Sequence, residues 1–361
     1  MTTTMTMTTT PPASVPTEAA REARLGRYRE MVRPALLAAV AGREPARYLY
    51  GLVAEHLGRA GKGLRPALCL ATAEAFGADP RRAVPSAAAL EMLHNAFLVH
   101  DDIEDGSESR RNRPTLYMEH GVPLAINVGD AMQALSLGML KDNLGVLGPA
   151  LTWRVVAEFE HMLLESLEGQ ALELGWIRDN NCDVTEDDYL TLVLKKTCWY
   201  SFIHPCRIGA LIAGDRGAVA GSPESAFDRF GYLLGAAFQI QDDVLNLVGD
   251  RDRYGKEIGG DLWEGKRTLI LAHVFGRGSE PDRARLRQIL GKPRGARLPE
   301  DVAWIYELLG RHGSIDYARA AARTLGEAAA QELERAFANA PESEAKDFLR
   351  WVVRHAVARD L

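Results

Sequence analysis

The sequence predicts an all-α protein, a single-domain bundle of about 10 to 13 helices. Three observations lead there. From Glu18 onward the chain is rich in Ala, Leu, Glu and Arg, the residues that lose least on entering a helix. Its apolar residues recur at three and four positions, and alternating strand patterns are almost absent. Glycine and proline clusters punctuate these runs at helix-length intervals.

In chain order the periodic runs cover 20–41, 46–59 and 64–76, the last stopped by Gly77-Ala78-Asp79-Pro80. The run 84–104 ends before Gly106, a C-terminal cap. The runs 123–140 and 150–175 are separated by the breakers between Gly145 and Pro149, and 186–213 and 223–248 by Gly221-Ser222-Pro223. Further runs follow at 266–274, 283–290, 301–311, 315–337 and 342–358. Between Gly276 and Pro299 the composition turns to Gly, Pro and Arg, but too few helices follow to form an independent core. We therefore read 19–361 as one domain and 1–18, with its Thr-rich opening, as a disordered polar tail.

Composition excludes several classes of function. A chain of 361 residues that is 47% apolar and 25% charged is ordinary globular material. A net charge of -6 argues against a nucleic-acid binder held by phosphate neutralisation, so an anionic ligand has to be met by particular residues. Cys69, Cys182, Cys198 and Cys206 form no paired CxxC spacing, and a chain this long needs no disulfides, which points to the cytoplasm. The opening lacks a signal peptide's basic flank and apolar run, and no segment approaches about 18 uninterrupted apolar residues, so no membrane span is expected.

Two acidic clusters break the local rules. In HDDIEDGSESRRNRP, Asp101 and Asp105 lie one turn apart on a helix, Asp102 about 100° around, and His94 two turns earlier on the same face. Carboxylates at a helix C-terminus are opposed by the macrodipole and by one another. In FGYLLGAAFQIQDDVLNLVGD a second apolar helix ends the same way, in Asp242, Asp243 and Asn246. One acid run is ordinarily a solvated face, whereas two with the same pattern suggest a shared compensation. Divalent cations would provide it, and all-oxygen ligands favour Mg²⁺.

Magnesium with open positions usually shares its ions with phosphate, and the matching cations are present. They are Lys62 and Arg65 in GKGLRP, Arg110 and Arg111 after the first acids, Lys196 in KKTCWY, and Lys256 and Lys266 in YGKEIGGDLWEGKRT. Arginine clamps phosphate oxygens through paired bonds and lysine acts as a point charge. GKGLRP lacks the P-loop spacing, and no dinucleotide fingerprint, GxSxG or HExxH occurs.

Together these residues resemble the trans-isoprenyl diphosphate synthases, the polyprenyl synthetase family. Its first aspartate-rich motif and following RR match Asp101 to Asp105 with Arg110-Arg111, and its second matches Gln241 to Asn246, preceded by Phe238-Gln239. GKGLRP, His94, GQALEL at 169–174, Lys196-Thr197 and GKEIGGDLWEGKRT fall in the family's order. The resemblance implies the isoprenoid synthase fold, with the helices around a central cavity. It implies Asp101, Asp105 and Asp242 as principal ligands of up to three Mg²⁺ ions, with Asp102 and Asp243 in support. Lys62, Arg65, His94 and Arg111 would hold isopentenyl diphosphate. Arg110, Lys196, Thr197, Gln239, Lys256 and Lys266 would hold an allylic diphosphate: dimethylallyl, geranyl or farnesyl. A homodimer is implied as well.

The residues one turn before Asp101 would then set product length, and they are Ala96 and Phe97. In the family bulky residues here shorten the product, so alanine at 96 favours geranylgeranyl diphosphate (C20) over the farnesyl product, with longer polyprenyl chains an alternative. Two departures stand out: Asn246 replaces the last acid of the second motif, and Trp199-Tyr200 follow Thr197 where small and aliphatic residues are common. A class I terpene cyclase would ordinarily carry a different second metal motif and lack GKGLRP, and a silent regulatory subunit would ordinarily lose one acidic motif.

Overall fold

A computed structural model describes residues 17–59, 61–214, 226–249 and 258–357. Helix α1 (Glu18–Ala38) is capped by Thr17, whose hydroxyl accepts the Ala20 amide at 3.3 Å. Helix thus begins inside the stretch read as tail, while residues 1–16 lie outside the described residues. Next come a π-turn (Ala46–Tyr50), α2 (Gly51–Gly58), α3 (Leu64–Ala75) and α4 (Val84–Glu104), which has the bounds that periodicity predicts. A two-stranded hairpin, β1 (Ser109–Arg110) and β2 (Arg113–Pro114), separates α4 from α5 (Leu116–His120), α6 (Val122–Leu140), α7 (Asn143–Leu147) and the long α8 (Pro149–Arg178).

The predicted run 186–213 is three pieces end to end: α9 (Glu186–Val193), a π-helical segment (Leu194–Ile203) and α10 (His204–Ala213). Thr185 and Asp188 close a reciprocal capping box at its start, and Gly214, at φ 93°, ends it. Helix α11 (Ala226–Val248) follows, then α12 (Gly260–Glu264) and α13 (Leu269–Arg277). The predicted run from 266 begins three residues late because Gly265, at φ 78°, ends α12 and leaves Lys266 in the turn, its amide bonded to the Asp261 carbonyl at 2.9 Å. The chain closes with α14 (Glu280–Leu290), α15 (Pro299–His312), α16 (Ser314–Ala336) and α17 (Glu344–Val357). Helices α5, α7 and α12 are too short to show a period, so the sequence reading missed them.

Buried apolar residues form two clusters. One gathers α3, α4, α6, the π-helical segment, α10 and α17, and includes the fully buried Leu68, Met92, Phe202 and Phe348. The other gathers α13, α14 and α15 around Ile270, Leu286, Ile305 and Leu308. Helix α11 gives Phe230 and Leu234 to the first and Ile240 and Val244 to the second; α16 likewise contributes to both. The two helices that end in acids, α4 and α11, are therefore held from several sides, α4 chiefly by α6 and α11 by α16.

Candidate active site

A cavity of about 720 Å³ opens between α4, α8, the π-helical segment and α11. On α4, Glu91, His94, Leu98 and Asp101 recur at three- and four-residue spacing and line one wall, with Phe97 beside them. Phe238, Gln239, Asp242 and Asp243 of α11 line the facing wall. The sequence pattern thus brings both acidic helix ends to one space.

Cations lie among these acids. Arg110 Nε donates to Asp102 at 2.6 Å and its Nη2 to Asp101 at 3.2 Å. Lys196 pairs with Glu173 and lies 3.6 Å from Asp101. Lys266 donates to Asp105 at 2.6 Å and lies 2.9 Å from Glu264. Burial opposes the charge on both lysines, yet Glu173 and Asp101 around Lys196, and Asp105 and Glu264 around Lys266, hold their pKa values above the ordinary one. The acids carry the opposite strain. Burial, with Asp101 adding repulsion, pushes Asp105 up to about 7. Burial likewise lifts Asp243 to about 7, although hydrogen bonds from Tyr189 and Gln239 favour its charged form.

Asp243 has both oxygens engaged, Oδ2 by the Tyr189 hydroxyl at 2.7 Å and Oδ1 by Gln239 Nε2 at 2.8 Å. Gln239 in turn accepts from Thr197 Oγ1 at 2.9 Å. This chain fixes the amide next to Asp242 and ties α11 to the π-helical segment. π-Helical turns recur at functional sites, and this one is shaped by glycine. A Cβ on Gly169 would stand 2.4 Å from the Lys196 amide nitrogen, so only glycine lets α8 approach that closely.

At the other end of the cavity the chain builds a second cationic group. Gly63, at φ 64°, begins α3, and Lys62, Leu64 and Arg65 line the cavity at this helix N-terminus, a position that favours anions. The β1–β2 hairpin turns on Arg111 and Asn112, at φ 55° and 59°, a two-residue connection that ordinarily calls for Asn or Gly at both places. Arg111 is held in this left-handed conformation with Nη1 bonded to the Arg59 carbonyl, and a Cβ on Gly61 would meet its guanidinium at 2.7 Å. Among the described residues His94 Nδ1 is buried with no hydrogen-bond partner; burial, with Arg65 and Arg111 adding repulsion, holds its pKa well below the ordinary value and so favours the neutral ring.

The predicted site residues Lys62, Arg65, His94, Phe97, Asp101, Arg110, Arg111, Lys196, Thr197, Gln239, Asp242, Asp243 and Lys266 all line this cavity. Asp102 and Asp105 reach it through Arg110 and Lys266. Ala96 is fully buried in the core beside it and is not among the lining residues. Lys256 lies outside the described residues. Sequence reasoning gave no role to Glu91, Glu173, Tyr189, Asp261 or Glu264. Glu173 had a signal, since Ser166, Gln170 and Glu173 form one helical stripe facing the cavity; Asp261 and Glu264 had one in lying within GKEIGGDLWEGKRT, and Tyr189 had none.

All-oxygen carboxylate walls, with burial opposing the charge on Asp105 and Asp243, suit a hard divalent cation. The comparisons agree with that chemistry. The family model for polyprenyl synthetase matches residues 46–309. A short chain isoprenyl diphosphate synthase of Methanothermobacter thermautotrophicus is 34% identical over 93% of this chain and 98% of its own length. A geranylgeranyl pyrophosphate synthase of Geoglobus acetivorans is 33% identical over 86% of this chain and 91% of its own. The crystal structure of geranylgeranyl pyrophosphate synthetase from Pyrococcus horikoshii superposes with a TM-score of 0.82 at 32% identity, covering 94% of this chain and 98% of that one. With the match spanning most of the chain and both acidic helix ends on one cavity, the chain belongs to the polyprenyl synthetase family.

Proposed function

We propose that this chain is a trans-prenyltransferase that condenses isopentenyl diphosphate with an allylic diphosphate (dimethylallyl, geranyl or farnesyl) into a linear prenyl diphosphate, with geranylgeranyl diphosphate as its product. One observation carries the reading: two acidic helix ends, two separate groups of cations and an apolar wall share a single cavity.

Asp101, Asp105 and Asp242, with Asp102 and Asp243 in support, would hold up to three Mg²⁺ ions. Bound magnesium supplies Lewis-acid stabilisation of the leaving diphosphate. Arg110, Lys196 and Lys266 stand where that diphosphate leaves, with Thr197 and Gln239 beside them, and the first three neutralise its developing charge as the allylic C–O bond breaks. Lys62, Arg65, Arg111 and the neutral His94 hold the second diphosphate at the opposite end and aim its double bond at the allylic carbon. The new C–C bond forms from that double bond's electron pair, and the proton lost from the adjacent carbon goes to the departing diphosphate. Phe97, Leu98 and Phe238 keep water from the cation.

We read 19–361 as one domain, supported by the share of α11 and α16 in both apolar clusters. A homodimer is supported by the exposed large apolar residues that α6, α7 and α8 carry, Ile126, Leu137, Leu144, Trp153 and Leu164. No helix among the described residues is long and apolar enough to cross a membrane. Four free, buried cysteines agree with a cytoplasmic setting.

Purified protein incubated with Mg²⁺, isopentenyl diphosphate and each allylic diphosphate should release diphosphate and yield a linear product of twenty carbons. Absence of diphosphate release would overturn the reading, and a cyclic hydrocarbon would point instead to a terpene cyclase. Light scattering of the same sample should give twice the chain mass.

A further inference from the structure

The π-helical segment places an aromatic residue between the two ends of the cavity. Arg65 Nη2 donates to the Tyr200 hydroxyl at 2.8 Å and to Ser201 Oγ at 2.8 Å, and the guanidinium carbon lies 4.3 Å from the centre of the Tyr200 ring. The same ring meets Phe97 edge to face, with centres 5.4 Å apart and planes at 88°, and His94 at 6.0 Å. Tyr200, Phe97, His94 and Arg65 all line the cavity. Resting on the prenyltransferase reading, we propose that Tyr200 is a specificity and positioning residue that links the site for the second diphosphate to the depth of the chain pocket.

The two ends of the side chain do different work. The hydroxyl and ring face hold one edge of the Arg65 guanidinium, while Arg65 Nε is buried without a hydrogen-bond partner among the described residues, so the arginine is oriented but keeps a donor for an anion. The ring body is apolar and closes against Phe97, and two aromatic rings meeting edge to face make a wall that neither makes alone. The depth attributed to residue 97 is therefore set jointly by residues on α4 and on the π-helical segment.

Tyr200→Phe and Tyr200→Ala separate the two roles. Tyr200→Phe removes only the hydroxyl and should raise KM for isopentenyl diphosphate roughly tenfold, with kcat and product length unchanged. Tyr200→Ala removes the wall and should lengthen the product by at least one five-carbon unit, as should Phe97→Ala, and the double variant should lengthen it further. Unchanged KM in Tyr200→Phe overturns the positioning role, and unchanged product length in Tyr200→Ala overturns the pocket role. If Tyr200→Ala does not fold, Tyr200→Leu reads the same wall. If the unaltered protein makes no product, the prenyltransferase reading fails by itself. Calorimetric titration of isopentenyl diphosphate into the unaltered protein and Tyr200→Phe still decides the Arg65 arm: equal affinities overturn it and a tenfold loss supports it.

Discussion

Asn246 Oδ1 accepts the Asp261 amide at 3.0 Å, and the Asn246 carbonyl accepts the Gly259 amide at 2.6 Å. The residue that interrupts the second acidic motif thus clips the end of α11 to the start of α12, which carries Asp261 and Glu264 and leads into the turn with Lys266. The bond needs an acceptor and not a charge, so a carboxylate can take the amide's place. We expect Asn246→Asp to keep kcat/KM within about threefold. Asn246→Leu should leave the Asp261 amide unpaired, cost about 1–3 kcal/mol and lower kcat by loosening Lys266. Denaturant titration and steady-state kinetics of the two variants would check this, and an inactive Asn246→Asp would show that neutrality at this position matters.

Asp105 and Asp243 are pushed from an ordinary 3.8 up to about 7, burial being the first cause in each. A carboxyl with a raised folded pKa favours the fold most while protonated. Its contribution is complete below about 4 and is lost as pH rises through about 7. Magnesium binds the ionised carboxylates and restores what ionisation removes. The metal-free protein should therefore melt lower at pH 8 than at pH 5.5, and saturating Mg²⁺ should raise the melting temperature by at least about 3 °C more at pH 8 than at pH 5.5. Equal magnesium shifts at both values would contradict the placement of the ions on these acids.

How much of this was legible in the sequence depends on the range of the interaction involved. The bounds of α4 follow from period and breakers alone, and with them the common face of His94 and Asp101. The π-helical segment was invisible because its apolar residues still recur at helical spacing, and its close approach to α8, where Gly169 lies against the Lys196 backbone, joins elements that the local pattern does not connect. The hairpin was invisible because its turn residues, Arg111 and Asn112, include no glycine, and the conformation is held by contacts with the loop before α3. Cations and acids were each recognisable by type. Their pairing, Lys266 of the turn after α12 with Asp105 at the end of α4, or Lys196 of the π-helical segment with Glu173 of α8, is a product of packing between separate elements.

Arg111 at φ 55° carries a backbone cost of about 1–2 kcal/mol. Comparison of two truncations isolates that cost, since both remove the guanidinium and only one keeps a Cβ. Arg111→Gly should be more stable than Arg111→Ala by about 1 kcal/mol, while both raise KM for isopentenyl diphosphate at least tenfold. Equal stabilities in urea would mean that the turn relaxes once the arginine is gone.

Gly169 stands against backbone: a Cβ there would lie 2.4 Å from the Lys196 nitrogen and 2.7 Å from its Cα, so no side-chain rotation can relieve a substitution. Gly169→Ala should cost about 1–3 kcal/mol as α8 and the π-helical segment move apart. Lys196 moves with them, away from Asp101 and the departing diphosphate. The expected signature is a fall in kcat larger than the rise in KM for isopentenyl diphosphate, because the segment carries Lys196 itself but reaches Arg65 only through Tyr200 and Ser201. A change confined to that KM would mean that the crossing supports the wrong end of the cavity.

Ala96 and Phe97 are neighbours with different surroundings. Ala96 is fully buried among core side chains, whereas Phe97 is half-buried and faces the cavity beside Tyr200. A larger residue at 96 meets packed core before it meets substrate. Ala96→Phe should therefore cost about 1–3 kcal/mol or more and leave the length distribution of whatever product it makes unchanged. Phe97→Ala removes a ring from the cavity wall and should extend the product at a smaller cost in stability, because one side of that ring already faces open space. Chain-length analysis of both variants beside their urea midpoints decides the matter. A stable Ala96→Phe enzyme with a shortened product would place residue 96 in the path of the growing chain.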